Sequence, residues 1–188
     1  MKLCEPYPDS VEVSGRVWRL DLSLRRVLAA LESREDLTPA DAVQVQCAYL
    51  LAADEELPED PGLCAKIVLA VFDLFPKHEN KTQEKYLDFE QDAAMIRSAF
   101  FRAFGIDLTR DDIHFMQFLE LLADLPTDTA LMRTVELRQR PVPEINQHNK
   151  EQVARLLEAK QRVALKLTEE ERRERFQRQI RQNRIYWG

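Results

Sequence analysis

The sequence predicts a mainly α protein: a multi-helix domain with a short N-terminal β-hairpin and a C-terminal helical arm. Three observations carry this. Apolar residues recur at steps of three and four through most of the 188-residue chain, which is the period of a helix with one buried face. Alternation with a period of two is confined to the first 20 residues. Glycine occurs only 4 times, at Gly15, Gly62, Gly105 and Gly188, which fits a chain that is mostly helix.

The elements follow in order. Val11-Glu12-Val13 and Val17-Trp18-Arg19-Leu20 alternate in polarity around Ser14-Gly15-Arg16. Gly15 can take a positive φ, so this is a hairpin, and a lone hairpin must dock to be stable. Leu24, Val27, Leu28 and Leu31 form one helical face, with Asp21 or Ser23 available as cap. Thr38-Pro39-Ala40-Asp41 opens a second helix: Thr caps, Pro fits the first turn and Asp suits the positive end of the dipole. Val43, Cys47 and Leu50 are its apolar face. After the acidic connector 54–61, Asp60-Pro61 starts a third helix with Leu63, Ile67, Val71 and Leu74 on one side, ended by Pro76. Residues 77–86 are polar and read as a loop.

In the middle block, Asp88 caps a helix with Gln91 three positions on, as in a capping box. Phe89, Ala93, Ile96, Phe100 and Phe104 step along one face, and Gly105 suits the left-handed position beyond the helix end. Phe100 and Phe101 are adjacent and lie about 100° apart around the axis, so this helix presents a wide apolar surface. Thr109 with Asp112 opens the next helix, with Ile113, Phe115, Phe118, Leu119 and Leu122 on its face, and Asp111-Asp112 complementing its N-terminus. Thr127 opens another, with Leu131, Met132 and Val135. Val153, Leu156, Leu157, Val163, Ala164 and Leu167 then repeat at helical spacings. Thr168-Glu169-Glu170-Glu171 is a second capping box, opening a segment with Glu at its start and Arg at its end. That last segment carries too few apolar groups to fold alone, so it orders against a partner or the body.

Charge divides the chain in the same place as the patterning. Residues 144–188 hold 11 basic and 7 acidic side chains, net +4; residues 1–143 hold 16 and 26, net −10; the whole is −6. The expected organisation is an acidic body, 1–143, with a sub-boundary at 77–86, followed by a basic arm, 144–188. The arm is either a solvated, ion-paired helix or a contact for an acidic partner such as another copy's body.

Chemistry is sparse. With four scattered glycines no phosphate-cradling loop is present. Cys4, Cys47 and Cys64 are too far apart for a CxxC site and read as reduced thiols of a cytosolic protein. His78, His114 and His148 form no HExxH set, and His114, between Ile113 and Phe115, reads as a packing or helix-surface residue. The acidic run 54–60 lacks the EF-hand spacing and reads as a solvated loop. No GxSxG nucleophile elbow occurs. The expectation is no enzyme, no cofactor and no metal. Arg172, Arg173, Arg175, Arg178, Arg181 and Arg184 could meet phosphates. Four interleaved glutamates argue against it, so a DNA-binding regulator is the lesser reading. MKLCEPYPDS lacks an apolar run and no stretch approaches 18 apolar residues, so neither a secretory leader nor a membrane span is expected.

Tyr86-Leu-Asp-Phe-Glu-Gln-Asp-Ala-Ala-Met-Ile-Arg-Ser-Ala-Phe-Phe-Arg-Ala-Phe-Gly-Ile-Asp-Leu108 resembles the bacteriophage gene-product-fifteen family, whose members show a "DFxxDA" start and "GIDL". The family's "HWWKF"-like helix is matched by His114-Phe115-Met116-Gln117-Phe118, with Phe115-Met116 in place of paired Trp. Its "LLxxLP" is matched by Leu121-Leu122-Ala123-Asp124-Leu125-Pro126. Val135-Glu136-Leu137-Arg138 fits its "IR"-like motif, Leu20 to Leu28 its "DFR…L" opening and Glu158 to Arg162 its late basic helix. The resemblance spans roughly residues 16–167. It implies a protein of the tail module of long-tailed phages and prophages, encoded beside the tape-measure gene. That implies a tail assembly chaperone that binds the tape-measure protein or another tail protein, self-associates as a homo-oligomer and works in the host bacterial cytoplasm. The alternative is a structural connector or tail-completion subunit in the virion. The candidate partner or self-association residues are Phe101, Phe115 and Phe118 in the body, for packing or partner contact, and Phe176, Ile180 and Trp187 in the arm, for docking of the tail.

Overall fold

A computed structural model describes residues 4–32, 37–76 and 85–166. Within them a hairpin, β1 (Ser10–Val13) and β2 (Arg16–Arg19), precedes seven helices: α1 (Leu24–Glu32), α2 (Pro39–Leu50), α3 (Pro61–Leu74), α4 (Ala93–Phe104), α5 (Phe115–Ala123), α6 (Ala130–Gln139) and α7 (Lys150–Arg162). The mainly α class with an N-terminal hairpin holds. Phe176, Ile180, Trp187, His78 and the capping box at 168–171 lie outside the described residues.

The chain forms two compact units. One holds Met1–Gln83 and Phe100–Leu125; the other holds Glu84–Ala99 and Pro126–Gly188. This differs from a division at residue 143: α6 and α7 belong with the segment before α4, and α4 runs through the change of unit at residues 99 and 100.

In the first unit the hairpin is tighter than expected. Ser14 and Gly15 both have positive φ, 56° and 77°, the pair a two-residue type I′ turn requires, and Arg16 is already in the strand opposite Val13. β1 packs against α3, while α1 packs on α2 and α5, and α2 on α3. Thr38 caps α2 by accepting from the Asp41 amide at 3.3 Å. Asp60 caps α3 by accepting from Gly62 and Leu63. The core is Trp18, Leu20, Leu22, Val27, Cys47, Leu50, Cys64, Ile67 and Val71, with Phe100, Phe115 and Phe118.

In the second unit the ladder before α4 is built by carboxylates. Asp88 accepts from the Glu90 and Gln91 amides at 3.0 and 2.8 Å. The reciprocal bond expected from Gln91 comes from Asp92, whose carboxylate accepts from the Asp88 amide at 3.0 Å. Gln91 instead spans to the chain after α7: it donates to the Ala164 carbonyl and accepts from the Lys166 amide. α4 begins at Ala93, so Phe89 sits in the preceding turn. α6 starts later than expected, capped by Thr129, not Thr127.

Asp92 and Arg138 are the centre of this unit. Their side chains are 0% and 7% exposed. The guanidinium grips the carboxylate with two bonds, 2.6 and 2.8 Å. It also donates to the carbonyls of Tyr86, 2.9 Å, and Val163, 2.6 Å. One side chain therefore joins the segment before α4, helix α6 and the end of α7. It ties residues 84–99 to the chain beyond 143 within this unit. Removing one member of such a pair strands a buried charge, which costs about 3–5 kcal/mol. Arg138→Ala should lower unfolding stability by about that amount in urea titration. Arg138→Lys should not recover it, since a single ammonium cannot reproduce the planar fork.

Candidate interaction surface

The first unit carries an aromatic cluster on α4 and α5. Phe100 lies 5.1 Å from Phe118, stacked, and 5.6 Å from Phe104, edge-on. Phe115 contacts Phe118 at 6.1 Å and Phe75 at 5.0 Å. These separations suit offset and edge-to-face aromatic pairs. Phe115 and Phe118 are 5% and 2% exposed. They therefore hold the core, which is the packing alternative of the two roles, packing or partner contact, that the sequence leaves open for them. Phe101, one position on from the fully buried Phe100, is 62% exposed. The adjacent pair thus divides between core and surface, because a 100° step carries the second ring out of the cluster.

The start of α5 differs from the sequence expectation. Thr109 and Asp112 do not open it. Asp107 organises a turn instead, accepting from the Thr109 amide and hydroxyl, while Asp111 accepts from the Asp107 amide. The helix starts at Phe115 with His114 as its cap: the imidazole Nδ1 accepts from the Met116 amide at 3.1 Å. With Nδ1 accepting, the proton is on Nε2, which faces the Pro8 carbonyl at 3.3 Å. The Tyr7 ring stacks on the imidazole at 4.8 Å, and Tyr7 donates to Glu120 at 2.6 Å. The packing reading of His114 therefore stands, with capping added.

A groove lies between β2 and the connector from α2 to α3. It is lined by Arg16, Trp18, Glu56, Leu57, Pro58 and Glu59 and has a volume of about 550 Å³. The backbone fixes both walls. Asp21 donates its amide to the Leu50 carbonyl and Ala52 to the Arg19 carbonyl; Gln44 holds the Glu59 carbonyl and the Cys64 thiol the Pro58 carbonyl. Arg16 lies 3.9 Å above the Trp18 ring and pairs with Glu55 at 2.9 Å. Arg19 pairs with Asp54 and Glu55. Burial alone would push the Glu55 carboxyl up, but hydrogen bonds from Arg19 and Arg16 outweigh it and the net shift is down. Trp18 is buried, and its indole N–H has no acceptor among the described residues. The sequence showed the hairpin and the acidic connector separately; their juxtaposition was not legible, because it depends on pairing across more than 30 residues.

Other groups are inert packing. Cys47 and Cys64 are buried, and burial, with the neighbouring Cys64 sulfur, pushes the Cys47 thiol up to about 12, so it stays protonated at neutral pH. Among the described residues no group of three or more His, Cys, Asp or Glu could hold a metal ion. No described helix is long and apolar enough to cross a membrane.

These features define a mainly helical protein with a docked hairpin and exposed side-chain surfaces. The model of the bacteriophage Gp15 protein family matches residues 3–165, and the chain belongs to that family. Comparison with curated proteins and with solved structures finds no match.

The aromatic division predicts unequal mutants. Phe100→Ala should cost about 3–5 kcal/mol in denaturant unfolding, whereas Phe101→Ser should stay within about 0.5 kcal/mol. For His114, burial lowers the pKa below 6.5, against weaker raising effects of the Pro8 carbonyl, Asp21 and Glu120. The unfolded chain therefore binds the proton first as pH falls. This contribution is full above about pH 6.5 and is lost as pH drops from there toward the folded pKa. NMR titration should find His114 with its proton on Nε2 and a midpoint below 6.5, and His114→Gln should remove this part of the acid sensitivity.

Proposed function

We propose that this protein is a tail assembly chaperone that binds the tape-measure protein and self-associates in the host cytoplasm, without enzymatic activity or cofactor. The observation that carries the reading is family membership over residues 3–165. The sequence motifs at 86–108 and 114–126 resemble products of the phage tail module, beside the tape-measure gene. The surface agrees with such work. Large apolar side chains stand in water on separate helices: Leu69 on α3 and Phe101 on α4 in the first unit, Leu157 on α7 in the second, with Ile145 just before it. Exposed apolar groups on rigid helices suit the capture of a long amphipathic helix, and covering its apolar stripe would keep it from aggregating.

Co-expression with the neighbouring tape-measure protein tests this. The tape measure should become soluble and co-purify with the chain, and Phe101→Asp with Leu69→Asp should weaken the complex while leaving the fold intact. An insoluble tape measure with no recoverable complex would sink the chaperone reading. Presence of the chain in purified mature particles would instead favour a structural connector or tail-completion subunit.

A further inference from the structure

We propose that the groove between β2 and the connector 54–60 receives the arginine-rich segment 168–188 of a second copy of this chain. The inference rests on the self-association part of the reading above and not on the tape-measure partner.

The groove is built before anything docks. Its two walls are tied by backbone bonds between residues 19–21 and 50–52, and its lip is fixed by Gln44 and by Asp60 at the start of α3. Its volume, about 550 Å³, takes a few side chains of the arginine-rich segment and not its whole length.

Its chemistry selects the occupant. The two cations beside it are already neutralised: Arg16 by Glu55, and Arg19 by Asp54 and Glu55. Asp60 is engaged at the helix start. Glu56 and Glu59 line the groove, are exposed, and form no ion pair among the described residues. Between them Leu57, 44% exposed, and Pro58 give an apolar lip. Below is Trp18, 3% exposed, an apolar floor under the Arg16 guanidinium. The occupant should therefore be cationic, with apolar side chains between its charges.

Segment 168–188 has that composition. Arg175, Arg178, Arg181 and Arg184 follow one another every third residue with no carboxylate among them, and Phe176, Ile180, Ile185, Tyr186 and Trp187 are interspersed. The charge balance of the chain points the same way, −10 over 1–143 against +4 over 144–188. Opposite charges on body and arm attract between copies, and salt screens that attraction.

Sedimentation equilibrium on the purified full chain tests this with no tape measure present, so its failure and that of the chaperone reading are distinguishable. The wild type should self-associate, and more weakly at high salt. Glu56→Lys with Glu59→Lys, and separately Arg175→Glu with Arg178→Glu, should each weaken association by roughly tenfold. The four substitutions together should restore it. Circular dichroism checks folding, and Glu56→Gln with Glu59→Gln replaces the reversal if that variant does not fold, with a smaller loss expected. A wild type that is monomeric at every concentration overturns the proposal. So does an association that the groove substitutions leave unchanged, or a four-fold variant that does not recover.

Discussion

No described helix exceeds 14 residues, and two have only nine. Helices of that length are marginal alone, and each ends with up to four backbone carbonyls lacking an intrahelical partner. The structure answers this constraint with long cationic side chains that reach into helix ends. Arg26 of α1 donates to the carbonyls of Ala48, Tyr49 and Leu51 at the end of α2. Lys160 of α7 donates to the carbonyls of Leu137, Arg138 and Arg140 at the end of α6. Each cation also sits at the negative end of the helix dipole it caps. A single bond thus satisfies an orphan carbonyl and fixes the neighbouring helix, which is how short helices become mutually dependent within each unit.

Local signals of this design were legible in the sequence and non-local ones were not. Thr38, Asp60 and Gly105 act where their neighbours in sequence say they should, because capping depends on two to four residues; Asp88 instead ties the turn that precedes α4. Gly105 takes φ 70° and closes α4 through its amide to the Phe101 carbonyl. The start of α5 is not legible locally, because Thr109 and Asp112 have the composition of a cap. The backbone from 113 to 115 instead pairs with residues 22–24: Leu24 donates to the Ile113 carbonyl and Phe115 to that of Leu22. A tertiary pairing outcompeted a local propensity, and His114, a poorer cap by type, inherited the position. Periodicity identified Phe115 and Phe118 as one helical face, but could not say whether that face met the body or a partner. The ring contacts to Phe75 and Phe100 decide it.

The Asp92–Arg138 pair lies 46 residues apart in sequence, and nothing local announces it. Its role is better described as selecting a register than as adding net stability. Desolvating two charges is costly, and an apolar pair of equal volume can be as stable. An apolar pair, however, tolerates sliding. The guanidinium has a planar set of donors, and here they meet four acceptors on two other segments: both Asp92 oxygens and the Tyr86 carbonyl before α4, and the Val163 carbonyl after α7. A shift of α6 by one residue along its axis would break all four bonds while leaving two charges buried. Among the described residues of the second unit the buried apolar core is small: Ile96, Ala99, Leu131 and Val153. A core that small discriminates weakly between packings, so a polar cross-link with fixed geometry supplies the discrimination that apolar contact cannot.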